Sequence, residues 1–290
     1  MNTPRPGTVL RNKINERRGL MVAGAANALS ARLIEQLGFE AVYLTGAGIT
    51  NTFYGMPDLG FVSLADLVQH TSATRDAVEL PIIVDADTGF GSALNVRHTV
   101  RSLERAGANA IQLEDQLMPK KCGHFNGKSV IPVAEAASKI KAAVDARHSE
   151  DFLIIARTDA RAIEGFDSAV ERAQRFIEAG ADITFVEAPE NVDEIRRIPG
   201  ALSVPQLVNV VIGGKTPTLD AAEFTRLGYG LVLYANAALQ GSLMGMTAAL
   251  TRLRDSGRLD EDSGLVSPFA VRQQLVRKDL YDELDARYGV

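Results

Sequence analysis

The sequence predicts an α/β protein built as a closed (β/α)8 barrel with extra helices at its C-terminus. Eight short runs rich in Val, Ile and Leu alternate with longer segments of helical period, which is typical of a parallel sheet covered by helices. Several of the helical segments end at a glycine, as at Leu37-Gly38 and Ala106-Gly107. A residue without a Cβ is favoured there because the chain turns left-handed as it leaves a helix.

An open, doubly wound sheet is the alternative fold. Gly46-Ala47-Gly48 follows the second predicted strand and resembles the start of a dinucleotide-binding loop. The third glycine of that motif would fall at Asn51, so the fingerprint is incomplete. The number of strands also fits a barrel better.

Strands and helices are predicted in alternation along most of the chain. The strands are expected at 20–23, 41–44, 82–85, 110–113, 152–156, 183–186, 206–208 and 230–233. The helices between them are expected at 28–37, 64–78, 93–106, 134–146, 168–179, 192–198 and 219–227. We expect a single domain over 1–290, with an N-terminal arm at 1–18 and a helical extension at 237–290. The two long helices of that extension, 237–256 and 268–288, exceed what a barrel needs, which favours packing of the last one against another subunit.

The composition limits the kinds of partner. A formal net charge of -5 argues against a nucleic acid or an anionic membrane surface, because both require a basic footprint. No apolar run approaches the length of a membrane-spanning helix. The single cysteine excludes an internal disulfide and suits a reducing compartment. We therefore expect a cytoplasmic protein that acts on a small molecule.

Polar side chains follow most of the predicted strands, at the end where a barrel carries its active site. Asp85 and Asp87 end the third strand, and Glu114 ends the fourth. Three carboxylates in a small volume raise one another's pKa unless a cation is present. Oxygen ligands favour a hard ion, so Mg2+ is the first choice and Mn2+ the second.

Arg157 ends the fifth strand and is the natural partner for a substrate carboxylate, since its planar group matches two oxygens. Gly46 and Ala47, at a tight strand exit, could offer backbone N–H groups to another carboxylate. The competing interpretation is that Asp85 and Glu114 pair with Arg157 and merely cap the barrel.

The only cysteine, Cys122, lies in a polar, glycine-punctuated segment between Lys120-Lys121 and His124. Neighbouring cations lower the pKa of a thiol and raise its reactivity, whereas a packing cysteine usually has apolar neighbours. The alternative is a free surface cysteine in a basic loop.

These residues occur in motifs that resemble the isocitrate lyase and phosphoenolpyruvate mutase superfamily, from about residue 11 to the C-terminal helices. The most specific motifs are Tyr43-Leu44-Thr45-Gly46-Ala47-Gly48, Pro57-Asp58-Leu59-Gly60, Asp85-Ala86-Asp87-Thr88-Gly89-Phe90-Gly91, Glu114-Asp115-Gln116, Lys120-Lys121-Cys122-Gly123-His124, Ile155-Ala156-Arg157-Thr158-Asp159-Ala160 and Glu187-Ala188-Pro189. Within the superfamily, a Lys-Lys-Cys-Gly-His loop is typical of the carbon–carbon lyases.

The resemblance implies a role in the active site for each matching residue. The residues that match its Mg2+ site are Asp85, Asp87, Glu114 and Asp58. Those that match substrate contacts are Thr45, Gly46, Ala47, Gly123, Arg157 and Asn209. Those that match catalytic positions are Cys122, Lys120, Tyr43, His124 and Glu187. In this resemblance Cys122 is the acid that protonates a carboxylate-stabilised carbanion, Tyr43 and Lys120 assist proton transfer, and Glu187 orients the site.

The implied reaction is the Mg2+-dependent cleavage of a 2-hydroxy dicarboxylate or tricarboxylate, such as 2,3-dimethylmalate or 2-methylisocitrate, into a 2-oxo acid and a carboxylate. The run from Val210 to Pro217 is closer to the dimethylmalate lyase and petal-death-protein branch than to bacterial methylisocitrate lyases. The resemblance also implies a homotetramer in which the last helix is exchanged between subunits.

Other activities stay open at this point. A phosphonomutase or phosphonopyruvate hydrolase, of the carboxyvinyl-carboxyphosphonate phosphorylmutase kind, would use a similar site. An oxaloacetate hydrolase or decarboxylase is a third possibility. The alternative of another class is a non-catalytic barrel that only binds a ligand.

Overall fold

Eight parallel strands close into a barrel in the order of the sequence, with the eighth paired to the first. The structure is a computed structural model and describes residues 5–289 except 124 and 126. The strands are β1 Leu20–Ala25, β2 Val42–Leu44, β3 Ile82–Asp85, β4 Ala110–Glu114, β5 Leu153–Thr158, β6 Ile183–Val186, β7 Gln206–Asn209 and β8 Leu231–Tyr234. The predicted fold class is confirmed, and each strand lies where the sequence predicts one.

The strands are apolar along nearly their whole length because both faces of the sheet are covered. Every residue of β2, β4 and β5 is buried. Helices cover the outside, as is usual for a parallel sheet. Inside the barrel, side chains such as Val22, Ile83 and Leu153 form a separate apolar core.

Helices alternate with the strands and continue beyond them. They are α1 Pro6–Asn15, α2 Ala28–Gln36, α3 Gly46–Ile49, α4 Leu64–Ala77, α5 Ala93–Arg105, α6 Val133–Ala146, α7 Arg161–Glu164, α8 Phe166–Glu178, α9 Val192–Ala201, α10 Ala221–Leu227, α11 Ala237–Ser256, α12 Phe269–Leu275 and α13 Lys278–Tyr288. A π-helix at Thr50–Tyr54 continues α3, and a 3-10 turn at Glu261–Ser263 follows α11.

Local sequence sets the ends of several helices. The side chain of Asn27 accepts a hydrogen bond from Ser30 N at 2.9 Å and so begins α2. Gly228 follows α10 with a φ of 82°, a left-handed conformation that glycine adopts without strain. The glycine that ends this helical pattern in the sequence is thus the residue that ends the helix.

Two segments differ in detail from the sequence-based expectation. Part of the predicted N-terminal arm forms α1, which starts with Pro6 at its first turn and buries Leu10 and Ile14 in the core inside the barrel. The pattern predicted as one helix at 268–288 is broken between α12 and α13, where Arg277 has a φ of 55°. A helix cannot continue through a left-handed residue.

The C-terminal helices leave a large apolar surface exposed. On α11 the side chains of Leu243, Met244, Met246 and Leu250 are all exposed, and Phe269 and Tyr281 are exposed on α12 and α13. None of the helices in the described ranges has the length and apolar character needed to cross a membrane.

Candidate active site

The register of the barrel brings polar strand ends together at one mouth. Glu114 of β4 is paired with Arg157 of β5, and Asp85 of β3 is paired with Gln112 of β4. Glu187 directly follows β6, and Asn209 ends β7. Residues that are up to 124 positions apart, from Asp85 to Asn209, therefore meet at the carboxyl ends of the strands.

A small cavity of about 40 Å³ opens at this mouth. The predicted site residues that line it are Tyr43, Thr45, Ala47, Asp58, Asp85, Glu114, Lys120, Cys122, Gly123, Arg157, Glu187 and Asn209. Gly46 and Asp87 lie beside these residues, since both of them approach Asp85. His124 lies outside the described residues. The structure thus brings nearly the whole predicted set to one place.

Lys120 lies among the carboxylates that the sequence assigns to a metal. Its Nζ is 2.5 Å from Asp58 Oδ1 and 2.8 Å from Asp87 Oδ1, and its side chain is buried. In the described part of the chain, no three His, Cys, Asp or Glu side chains are arranged to hold a metal ion as they stand. The carboxylates therefore face an ammonium group in this arrangement.

Burial dominates the protonation of these groups. It raises the pKa of Asp85, Asp87 and Glu114, and the pKa of Asp87 reaches about 7. The cations of Lys120 and Arg157 oppose this rise. Burial would lower the pKa of Lys120, but the surrounding carboxylates raise that pKa well above its usual range. Lys120 thus stays protonated.

The mouth contains more carboxyl groups than cationic side chains, and this difference bears on whether a metal ion would fit there. Among the described residues, its carboxyl groups are Asp58, Asp85, Asp87, Glu114, Asp159 and Glu187, and the cations that contact them are Lys120, Lys128 and Arg157. Glu114 Oε1 is also buried without a hydrogen-bond donor. An oxygen-only donor set that lacks positive charge fits a divalent hard cation.

Arg157 is held by several carboxylates. Its Nε and Nη2 donate to the two oxygens of Asp159 at 2.9 and 3.0 Å. Its Nη1 is 3.3 Å from both Glu114 and Glu187. Glu114 thus pairs with Arg157, as the competing interpretation expects, whereas Asp85 accepts hydrogen bonds from Gly46 and Gln112. One edge of the guanidinium is fully used by Asp159.

The segment after β2 approaches the carboxylates closely. The backbone N–H of Gly46 donates to Asp85 Oδ2 at 3.3 Å, so it binds a carboxylate of the protein itself. A Cβ at Gly46 would lie 3.3 Å from oxygens of both Asp85 and Asp87, which explains why glycine suits this position. Thr45 accepts from Gly48 N at 3.2 Å and thereby begins α3.

Gln112 is a site residue that the sequence analysis missed. The hydroxyl of Tyr43 donates to Gln112 Oε1 at 2.8 Å, and Gln112 Nε2 donates to Asp85 Oδ1 at 3.3 Å. Burial, with Asp85 nearby, raises the pKa of Tyr43 well above its ordinary value. Tyr43 is therefore a protonated hydrogen-bond donor here. A glutamine in an apolar strand gives no signal that it faces a site.

Cys122 is half-buried and borders the cavity from the loop after β4. Gln116 fixes the start of this segment, since its side chain accepts from Lys121 N at 2.9 Å and donates to Lys121 O at 2.8 Å. The next residue, Gly123, packs so closely on Arg157 and Glu187 that a Cβ would lie 2.5 Å from Arg157 Nη2. The loop thus rests directly on the charged groups of the mouth.

Comparison with known families accounts for this combination of barrel and site. A family model described as phosphoenolpyruvate phosphomutase matches residues 10–254, which is most of the chain. The chain belongs to the phosphoenolpyruvate phosphomutase family. The superfamily expected from the sequence motifs is confirmed.

Within this family, two curated relatives are closely similar in sequence. A 2-methylisocitrate lyase from Aeropyrum pernix is 48% identical over 253 residues, which cover 87% of this chain and 81% of the relative. A 2,3-dimethylmalate lyase from Eubacterium barkeri is 44% identical over 246 residues, 85% of each chain. Both relatives are named as lyases.

Solved structures in the superfamily have the same fold. A crystal structure of 2,3-dimethylmalate lyase superposes with a TM-score of 0.92 at 31% identity, covering 99% of this chain and 97% of that one. A phosphonopyruvate hydrolase complexed with oxalate and Mg2+ superposes with a TM-score of 0.87 at 30% identity, covering 98% and 99%. The fold therefore supports both lyase and hydrolase chemistry, and the side chains of the site must decide between them.

Proposed function

We propose that this enzyme is a Mg2+-dependent carbon–carbon lyase that cleaves a 2-hydroxy dicarboxylate or tricarboxylate into a 2-oxo acid and a carboxylate. The substrate class is a 2-alkylmalate, such as 2,3-dimethylmalate, or 2-methylisocitrate. One observation carries the proposal: Cys122 borders the same cavity as the carboxylates Asp85 and Glu114. A carbon–carbon lyase needs a proton donor beside its cation site, whereas a phosphonomutase moves a phosphoryl group with no net proton transfer to carbon. Hydrolysis of phosphonopyruvate also leaves a carbanion to be protonated, so a substrate screen separates the lyase from the hydrolase.

The residues that would hold Mg2+ are Asp85, Asp87 and Glu114, with Asp58 nearby. When bound, the ion supplies a positive charge that stabilises the oxyanion of the 2-oxo acid portion. Mn2+ would suit the same oxygen ligands. Oxygens without a donor, such as Glu114 Oε1, support this assignment.

The protein's own groups would bind and orient the substrate. The side-chain oxygens of Asn209 and Asn236 are buried at the cavity without a hydrogen-bond donor, so each can accept from a substrate hydroxyl. The guanidinium of Arg157 borders the same cavity and can attract a substrate carboxylate. Thr45, Ala47 and Gly123 also line it and complete the proposed binding surface.

Cleavage needs one proton to leave the 2-hydroxyl and another to reach the carbon that departs. A water molecule in the cavity would take the hydroxyl proton and pass it to solvent, from which Cys122 would regain a proton after turnover. As the bond between C2 and C3 breaks, its electron pair stays on the departing carbon, which the adjacent carboxylate stabilises. The thiol of Cys122 then gives its proton to that carbon. Tyr43 and Lys120 both stay protonated, so we assign them to holding the oxyanion by hydrogen bond and charge. Glu187, at 3.3 Å from Arg157, would hold the guanidinium in place.

A substrate screen in the presence of Mg2+ tests the proposal. Release of a 2-oxo acid would be followed by coupled NADH oxidation for 2-alkylmalates, 2-methylisocitrate, oxaloacetate and phosphonopyruvate. We expect turnover of a 2-alkylmalate or of 2-methylisocitrate. Preferred turnover of phosphonopyruvate or oxaloacetate would select the hydrolase alternatives, and binding without turnover of any acid would select the ligand-binding barrel.

The variant Cys122→Ser tests the role of the thiol. It should fold and bind Mg2+ as the wild type does, because the side chain is only half-buried. Its turnover should fall by several orders of magnitude, since serine is a much weaker acid. Wild-type turnover in this variant would contradict the role of Cys122.

We also propose that the chain assembles as a homotetramer in which its last helix packs on another subunit. The exposed apolar side chains of α11, including Met244 and Leu250, support a protein contact there, because large apolar patches mark interfaces. Light scattering during size exclusion would give the mass of the full chain and of a chain that ends after Gly257. A monomeric full chain would contradict this proposal. A cytoplasmic location stays a prediction.

A further inference from the structure

Lys128 connects the loop that carries Cys122 to the fifth strand of the barrel. Its Nζ donates to Asp159 Oδ1 at 2.8 Å and also to the carbonyl oxygen of Gly123. The side chain of Lys128 is 2% exposed and that of Asp159 is 0% exposed. A buried ammonium group thus links the residue next to Cys122 with the end of β5.

This contact complements the one made by Gln116 at the other side of the cysteine. Gln116 binds the backbone of Lys121 through two hydrogen bonds, which fixes the chain before Cys122. Lys128 binds the backbone carbonyl of Gly123, which fixes the chain after Cys122. The cysteine is therefore held on both sides by side chains that bind main-chain atoms.

Neutralisation of Asp159 accounts for only one of the two contacts that Lys128 makes. Arg157 already donates to both oxygens of Asp159, at 2.9 and 3.0 Å. Burying a second cation is unfavourable unless it makes further good hydrogen bonds. The hydrogen bond to Gly123 is such a contact, and it acts on the loop.

We propose that Lys128 is a positioning residue, which holds the segment Cys122-Gly123 against Arg157 and Glu187 so that the thiol borders the cavity. The effect of this positioning on turnover rests on the proposed lyase function. The contact itself is a property of the fold, so it can be measured without any substrate. Asp159, the residue directly after β5, is the fixed point to which Lys128 ties the loop.

The test compares three variants by the rate at which iodoacetamide alkylates Cys122, the only cysteine in the chain. Lys128→Met keeps a long side chain but removes the ammonium group, and Lys128→Arg keeps a cation. Lys141→Met is the matched control, because Lys141 is an exposed residue of α6 whose ion pair with Asp145 is also exposed. Rates are measured near neutral pH at several urea concentrations below the unfolding transition.

Lys128→Met should be alkylated on the order of tenfold faster than the wild type, the effect of losing a hydrogen bond from a charged group. The faster rate should not change with low urea, because the opening is local. Loss of a nearby cation disfavours the thiolate and slows alkylation, so an acceleration reports exposure. Lys128→Arg should restore most of the protection, and Lys141→Met should match the wild type.

Three results would overturn the proposal. One is an alkylation rate of Lys128→Met within twofold of the wild type. The others are a variant that does not fold, or a faster rate that rises with urea as global unfolding does, since either assigns Lys128 to general stability.

Turnover gives a second readout. In the lyase assay, Lys128→Met should lower kcat by more than it raises KM, because the acid is misplaced after the substrate has bound. If Cys122 is alkylated faster in Lys128→Met than in the wild type, but the wild type turns over none of the acids, the contact is supported and the lyase function is refuted. If the wild type turns over one of the acids, but Lys128→Met is alkylated no faster than the wild type, the lyase function is supported and the role of Lys128 is refuted.

Discussion

Replacing Gly123 with alanine tests how closely the Cys122 loop must approach the charged groups of the mouth. A Cβ at this position would lie 2.5 Å from Arg157 Nη2 and 2.6 Å from Glu187 Cγ, whereas ordinary contact begins at 3.4 Å. Arg157 is fixed by Asp159, so the loop rather than the guanidinium should move, by about 1 Å. A misplacement of about 1 Å can lower a rate by about 100-fold, or about 2.7 kcal/mol in transition-state stabilisation.

The assay is kcat/KM for the substrate that the screen identifies, together with the melting temperature. We expect Gly123→Ala to lose about two orders of magnitude in kcat/KM with little change in melting temperature, because the loop is not part of the barrel core. Gly200→Ala is the matched control, since a Cβ at Gly200 in α9 would meet no atom within 4 Å. Wild-type kcat/KM in Gly123→Ala would refute the close approach of the loop.

Three further predictions concern protonation, the metal and the Tyr43 contact. Burial, together with Asp159, raises the pKa of Asp115 to about 6. The folded state therefore binds this proton more tightly than the unfolded chain does. Asp115 stabilises the fold at low pH, and this contribution is lost as the pH rises through about 6. Asp115→Asn should therefore remove up to about 3 kcal/mol of pH dependence from the unfolding free energy between about pH 4 and 6, and an unchanged dependence in urea titrations would contradict this. Treatment with EDTA should abolish turnover and Mg2+ should restore it, with Mn2+ as a partial substitute; activity that survives the chelator would exclude the metal assignment. Tyr43→Phe should leave Gln112 Oε1 without its 2.8 Å donor and lower the unfolding free energy by about 1–3 kcal/mol, and an unchanged melting temperature would show that the contact is dispensable.

The fold could be predicted from the sequence because its signal is repeated along the chain. Each buried strand is a short apolar run, and each helix has its own period and often its own glycine end. The break at Arg277 could not be predicted, because that residue is not a usual helix terminator and its φ of 55° depends on the surrounding structure. The helical character of α1 was missed because a few apolar residues among many charges resemble a polar arm.

The candidate site could be predicted where the residue type itself carries the chemistry. Asp85, Glu114 and Arg157 stand out because charges directly follow apolar strands. Contacts between distant residues carry no such signal. The pairing of Lys128 with Asp159, 31 residues later, needs the closed barrel, and so does the position of Gln112 between Tyr43 and Asp85.

The most direct test of the central claim is to run the reaction in D2O with Mg2+ and to analyse both products by mass spectrometry. If Cys122 protonates the departing carbon, the wild-type enzyme should release a 2-oxo acid and a carboxylate in equal amounts, with one deuterium on the carboxylate product, and Cys122→Ser should release almost none of either. Products in unequal amounts, or a Cys122→Ser enzyme that cleaves the substrate as fast as the wild type does, would contradict the claim.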